Sequence, residues 1–392
     1  MKLLMVTREA QADKRFGLGR SLTPIIDGLS ARGHTVGYLS RAARSARSEA
    51  FCRRLHRWLL PMVRAAGGPQ SDNEAVLQAM LERLDMGRLA AKVAQRDGYS
   101  HVHLHDPWIA LGFMWARAMG GGARRCRWGI TEHGFGSYAH AVHVDGGHQS
   151  ARLAGWLRRL ERLVTTRADW VIAPTEAALS QLERDLAVHP RPPHWRAIPH
   201  PLPALHLVSR EAARARLGWE AEGLCVLGIG RLAPLKRFDL LVRAAARIAP
   251  VHPLRLVLLG DGDWDWMRAY GRQCGLPRDI EFALTDDVGL YLSAADLYVS
   301  TSSTESFGLA NLEAVVAGTP AICAAVGGVP EVVAEAATLV PMDEEAIAAA
   351  MAAQLAATPA HRQRQRAIAA ARTARWPSQA QIIERYLDAY AA

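Results

Sequence analysis

No apolar run in the 392 residues approaches the eighteen or so needed to span a bilayer. The opening stretch, Met1 to Glu9, meets charge too soon for a signal peptide and reads better as a first buried strand. Cysteine is scarce as well. Cys52, Cys126, Cys225, Cys274 and Cys323 are odd in number, scattered and without a C-x-x-C pair. That argues against a zinc module and for a reducing, cytoplasmic setting. Aromatic residues make up only 7%, and no aromatic-rich RNA motif or recognition helix stands out, so nucleic acid is not the expected partner. A third glycine is missing from Arg15-Phe-Gly-Leu-Gly-Arg20, where Leu22 stands instead, which speaks against a nicotinamide dinucleotide fingerprint.

What the chain does have is length for two domains and 50% hydrophobic residues to fill their cores. Strand-like runs at 2–6, 35–40, 101–105, 127–132 and 170–174 alternate with helical stretches, the first at 18–32. The same alternation resumes at 224–230, 254–260 and 279–284. It reads as α/β, with parallel sheets flanked by helices and ligands collecting at the carboxyl ends of the strands. Six prolines between Pro190 and Pro203 suit neither helix nor central strand and mark the domain boundary.

Charge is unevenly placed. Residues 1–203 hold 29 Lys and Arg against 17 Asp and Glu, a net +12, whereas residues 204–392 carry a net −3. The first half is expected to meet something anionic. Arg41, Arg44, Arg47, Arg53, Arg54, Arg57 and Arg64 lie among Phe51, Leu55, Trp58, Leu59, Leu60, Met62 and Val63, and residues 153–164 have similar character. Two readings stay open: peripheral contact with an anionic membrane leaflet, or an ordinary helix packing its apolar face inward.

Chemistry concentrates in Glu305-Ser-Phe-Gly-Leu-Ala-Asn-Leu-Glu313. The run follows an apolar strand and a Ser/Thr turn and opens a helix that stops at Gly318. A helix N-terminus at Gly308 supplies unpaired N–H groups and a positive dipole, which suit a phosphate. Arg231 and Lys236 follow the strand ending at Gly230, where two cations can hold a diphosphate. His101, His103 and His105 share one strand face, yet no carboxylate or cysteine joins them at a recognisable metal-ligand spacing. His133 stands just before a glycine turn, and 137–150, with His140, His143 and His148, reads as a mobile loop.

The spacing Glu-x7-Glu, with Ala-Gly-Thr-Pro and Gly-Gly-Val-Pro-Glu331 after it, resembles the retaining family 4 glycosyltransferases of GT-B architecture. The match is longest from Ser300 to Val333. The resemblance implies two Rossmann-like domains facing a cleft: 1–198 for the acceptor, 199–375 for the nucleotide sugar, and 376–392 as a helix crossing back. It implies a retaining, metal-independent hexosyltransferase without cofactor, taking a nucleotide-diphosphate sugar, foremost a UDP-sugar, as donor. A glycan or lipid-linked acceptor of envelope polysaccharide synthesis would be its other substrate.

By the same resemblance Glu305 contacts the transferred sugar and Glu313 the ribose hydroxyls. Arg231 and Lys236 bind the diphosphate together with the backbone N–H groups of Phe307, Gly308 and Leu309. His133 reaches the sugar, and Gly17 and Gly19 approach the phosphates or the acceptor. Leu284-Thr285 replaces the customary glycine at the base pocket, and Ile198-Pro-His200-Pro replaces the usual Pro-Asn-Gly-Val turn. A sugar-nucleotide epimerase of similar architecture, or a non-catalytic binder using the basic first half, are the alternatives.

Overall fold

A computed structural model describes residues 1–9, 17–67, 72–120, 125–144 and 150–392. His148, Arg15 and Phe16 lie outside the described residues. The chain folds into two compact units, Met1–Pro201 with Gln379–Ala392, and Leu202–Ser378.

The first unit is built on six parallel strands in the order β2-β1-β3-β4-β5-β6. These are β1 (Lys2–Val6), β2 (Thr35–Leu39), β3 (His101–Leu104), β4 (Arg127–Thr131), β5 (Trp170–Ala173) and β6 (Trp195–Ala197). Its helices are α1 (Gly17–Ala31), α2 (Ala46–Gly67), α3 (Asn73–Arg96), α4 (Pro107–Ala118), α5 (Tyr138–Val144), α6 (Ala151–Arg167) and α7 (Glu176–Leu186). The proline-rich stretch thus holds one short strand, β6, which lies at the sheet edge in the proline-free gap between Pro193 and Pro199.

The second unit repeats the plan with β7 (Leu224–Ile229), β8 (Leu254–Leu259), β9 (Glu281–Ala283), β10 (Leu297–Ser300), β11 (Ala321–Ala324) and β12 (Thr338–Val340). All are parallel, in the order β12-β11-β10-β7-β8-β9. Its helices are α8 (Arg210–Leu217), α9 (Phe238–Ile248), α10 (Trp264–Gln273), α11 (Val288–Ala294), α12 (Leu309–Ala317), α13 (Val329–Val333), α14 (Glu344–Leu355) and α15 (Pro359–Ala374). The last helix, α16 (Gln379–Ala391), belongs to the first unit.

Strand alternation decides which helix covers which face. Leu3 and Met5 of β1 pack with Leu22, Ile25 and Leu29 of α1 and with Ile382, Ile383, Tyr386 and Tyr390 of α16. Leu4 and Val6 point the other way, into a core with Val102, Trp108, Phe113, Leu157 and Leu179. Period-two burial on both faces is what a parallel sheet sandwiched by helices demands.

The stretch 137–150 departs from its reading as a loop, because Tyr138–Val144 forms α5. Its first amides are capped from far away in sequence. Ser137 N–H donates to Asp185 at 2.8 Å, and Tyr138 N–H to both oxygens of Glu161 at 3.0 Å. Histidines and glycines offered no local helix signal there; carboxylates on α6 and α7 supply the missing cap.

On α2 the apolar residues divide between two faces. Leu55, Leu59, Leu60 and Val63 are half-buried on the side toward α3, while Phe51, Trp58 and Met62 are exposed at 63%, 73% and 67%. These three recur at helical spacing beside the exposed Arg47 and Arg54.

Helices α3 and α4 cross at two glycines. A Cβ on Gly87 would stand 2.1 Å from the Ile109 carbonyl oxygen, and one on Gly112 would stand 2.2 Å from that of Leu84. Backbone cannot yield as a side-chain tip can. Gly87→Ala and Gly112→Ala are therefore each expected to lower stability by about 1–3 kcal/mol in urea unfolding, despite alanine's better helix propensity. Unchanged midpoints in both would mean that this crossing is loose.

Candidate functional site

In the second unit the ends of β7 and β10 lie side by side, since Val226 pairs with Leu297 and Leu227 with Tyr298. The turns that follow them are laced together. Thr301 Oγ1 hydrogen-bonds to the carbonyls of Lys236 and Arg237, both at 2.9 Å, and Ser303 N–H donates to the Leu235 carbonyl at 2.7 Å. This lacing brings Lys236 Nζ within 2.5 Å of Glu305 Oε1, which also accepts from Ser302 Oγ at 2.9 Å. The two charged side chains are 21% and 17% exposed, so the pair is partly shielded yet open to a ligand. Arg231, on the same strand end, is exposed.

Gly327 and Gly328 explain why two glycines follow β11. Gly328 N–H donates to the Glu305 carbonyl at 2.8 Å, and a Cβ on Gly327 would come within 2.1 Å of that oxygen. The backbone of Glu305 is thereby clamped. Gly308 then adopts φ 78°, a left-handed conformation that glycine takes without strain, and turns the chain into α12. Its carbonyl accepts from Asn311 and Leu312 N–H, so the positive end of α12 opens at Phe307–Leu309.

The Phe307 ring is 3% exposed and sits edge-on to Trp376 at 5.9 Å, which leaves only its backbone for a ligand. Glu313 is 1% exposed. The Tyr298 hydroxyl donates to Asn311 Oδ1 at 2.8 Å. Burial raises this phenol well above its ordinary range, with Cys323, Glu305 and Glu313 adding to the shift. Both carboxylates of the Glu-x7-Glu motif thus bear on one buried phenol. A cation pair, a carboxylate and a helix N-terminus at one strand end can bind an anionic ligand bearing hydroxyl groups.

The first unit brings four histidines together, His103 and His105 from the end of β3, His133 from beyond β4 and His200 from beyond β6. His103 is held at both nitrogens, by Tyr390 OH at 2.8 Å and Thr131 Oγ1 at 2.7 Å. It stacks on His105 at 4.4 Å, and His105 Nδ1 lies 2.9 Å from His133 Nε2. His133 in turn stacks parallel to His200, with centroids 6.3 Å apart. Burial keeps all four neutral: it pushes His103 down to about 3 and His200 to about 4, with His105 and His133 also well below the usual range. Among the described residues no cluster of three or more His, Cys, Asp or Glu is arranged to hold a metal ion.

Carboxylates lie beneath these rings. Asp106 caps α4 through Trp108 and Ile109 N–H and pairs with Arg83 at 3.2 Å. Burial raises Glu132 to about 8, and its Oε1 has no hydrogen-bond partner among the described residues. Glu161, completely buried, is raised well above the carboxylate range by burial and then by Glu132.

Gly17 and Gly19 lie in the first turn of α1 and not in a loop ahead of it. Three contributors had no clear signal in the sequence: His105 and His200 as the neighbours of His133, and Tyr390 from the far end of the chain. His200 was visible only as an irregularity in the proline-rich turn.

Residues 209–374 match the family described as Glycosyl transferases group 1, and residues 16–200 match the Glycosyl transferase 4-like domain. The chain is 30% identical over 333 residues to a D-inositol 3-phosphate glycosyltransferase of Mycobacterium leprae, across 79% of this chain and 72% of that one. In three dimensions it is similar to sucrose-phosphate synthase from Thermosynechococcus elongatus, with TM-score 0.74, 21% identity and coverage of 100% and 98%. It is also similar to Anabaena HepE in complex with UDP-glucose, with TM-score 0.69, 17% identity and coverage of 100% and 99%.

The buried groups set the pH dependence of stability. Histidines whose folded values lie near 3 and 4, below the free value of 6.5, stabilise above pH 6.5 and lose that contribution as pH falls. Glu132, raised from 4.5 to about 8, acts in the opposite direction, and its contribution is lost as pH rises toward 8. Between pH 6.5 and 8 the wild type is expected to lose stability at up to about 1.4 kcal/mol per pH unit for this one proton. Glu161, also raised, adds a slope of the same sign, so urea unfolding of Glu132→Gln should show the slope reduced by the share of one proton and not abolished; an unaltered slope would assign it to other groups.

Proposed function

The chain belongs to the family 4 type of glycosyltransferases with GT-B architecture, and we propose that it transfers a sugar from a UDP-sugar with retention of anomeric configuration. The observation that carries this reading is the Lys236–Glu305 pair at 2.5 Å, set beside the N-terminus of α12. Arg231 and Lys236 take the diphosphate, joined by N–H groups at Phe307, Gly308 and Leu309. Glu305 turns from Lys236 to the sugar hydroxyls, and the buried Glu313 accepts from the ribose diol. The UDP assignment draws support from the solved HepE complex with UDP-glucose.

These cations and the helix end neutralise the leaving diphosphate, so no metal is required. In front-face attack the acceptor oxygen bonds to the anomeric carbon as the bond to the diphosphate oxygen breaks. The acceptor's proton passes to that leaving oxygen. A thermal-shift screen of UDP-, GDP- and ADP-sugars is expected to give the largest rise with a UDP-sugar, unchanged by EDTA. No shift with any of them, or a shift abolished by EDTA and restored by manganese, would overturn the donor reading.

The acceptor is assigned to a lipid-linked glycan of envelope polysaccharide synthesis, met at the inner leaflet. Support comes from α2, whose Phe51, Trp58 and Met62 face outward beside arginines. Each arginine near an anionic surface contributes on the order of 1 kcal/mol. A soluble phosphate-bearing acceptor is the second reading, favoured by the inositol 3-phosphate in the relative's name. Sedimentation with vesicles distinguishes them. The lipid reading expects binding to anionic vesicles, release by high salt, and loss in Trp58→Ala and Arg54→Gln. Equal partitioning to neutral and anionic vesicles, or none to either, favours the soluble acceptor.

A further inference from the structure

The histidines of the first unit form an ordered stack whose hydrogen bonds leave little choice about where the protons sit. His105 and His133 face each other through Nδ1 and Nε2 at 2.9 Å, so one proton lies between two neutral rings. The other nitrogen of His105, Nε2, is buried and has no hydrogen-bond partner among the described residues. A buried N–H without an acceptor is rarer in folded proteins than an under-satisfied acceptor. The proton of His105 therefore belongs on Nδ1, where it is donated, and the bare lone pair is what remains at Nε2.

We propose that His105 is a positioning residue that locks His133 in the tautomer bearing its proton on Nδ1. His133 Nε2 is then committed as an acceptor. The ring at 105 cannot swing away, because it stacks on His103, itself fixed at both nitrogens by Thr131 and Tyr390. The charged and titratable groups bearing on the pair come from several elements. His103 lies on β3, His200 follows β6 and Arg8 follows β1, and each disfavours an added proton on one or both rings. His133 accordingly serves as an N–H donor to a substrate oxygen and not as a general base. This rests on the reading of His133 as a contact of the transferred sugar, and it accords with a leaving diphosphate that takes the acceptor's proton itself.

The test is a long-range proton–nitrogen correlation spectrum of the full chain labelled with nitrogen-15 histidine at neutral pH, without ligand. The His133 signals are identified by their loss in His133→Gln. The wild type should show protonated Nδ1 and bare Nε2 at His133. In His105→Leu those signals should shift toward a mixture of tautomers, and in His105→Asn, whose amide can donate at the same place, they should return. A wild-type His133 protonated on Nε2, or signals unmoved in His105→Leu, would overturn the proposal. Should the leucine variant fail to fold, the wild-type tautomer alone decides. No nucleotide is present, so a negative donor screen and a wrong tautomer are separate results.

Discussion

One ion pair, Lys236 with Glu305, is the contact around which the second unit is arranged. Each charge arrives from a different strand end, and neither turn is held by its own sequence alone. Thr301 and Ser303 bind the backbone at 235–237, and Gly328 binds the carbonyl of Glu305. The pair is thus fixed by main-chain hydrogen bonds that a ligand need not disturb. On the proposed donor reading, only the two side-chain tips would have to move for a diphosphate to take Lys236 and a sugar to take Glu305. A site kept rigid at the backbone and exchangeable at the tips loses little entropy on binding.

The first unit works by the opposite means, holding polar groups where water is excluded. Four neutral histidines and two raised carboxyl groups lie at the ends of β3 and β4, after β6 and on α6. Burial costs these groups their charge, yet most keep a hydrogen bond, which is what makes such a cluster tolerable. Tyr390 joins it from the last helix, so the end of the chain fixes rings that stand near its first strands.

How much of this was legible depended on sequence distance. Strands β1–β5 and β7–β10 and the Glu305–Glu313 motif are local patterns, and the structure has them within a residue or two of their expected limits, whereas the short β6, β11 and β12 left too few residues for a pattern to show. Gly-Gly-Val-Pro carries a family resemblance in its local pattern, while its physical reason, the close approach of Gly327 to the Glu305 carbonyl, lies between residues far apart in sequence. Helix α5 was hidden because its caps come from Asp185 and Glu161. The His105–His133 bond was hidden because period-two spacing shows that three histidines share a face, not which of them meets a neighbour from β4. The apolar residues of α2 could not be sorted into inner and outer sets until α3 was in place.

The proposed donor site rests most directly on the cations of the β7 strand end. Their test is the rate of donor cleavage in Arg231→Ala and Lys236→Ala, with UDP-glucose as the probe and product UDP as the readout. Loss of one preorganised cation beside a leaving diphosphate is expected to slow the reaction by about 10²–10³-fold in each variant. Wild-type rates in both would contradict the placement of the diphosphate, and with it the role of the Lys236–Glu305 pair in holding the donor.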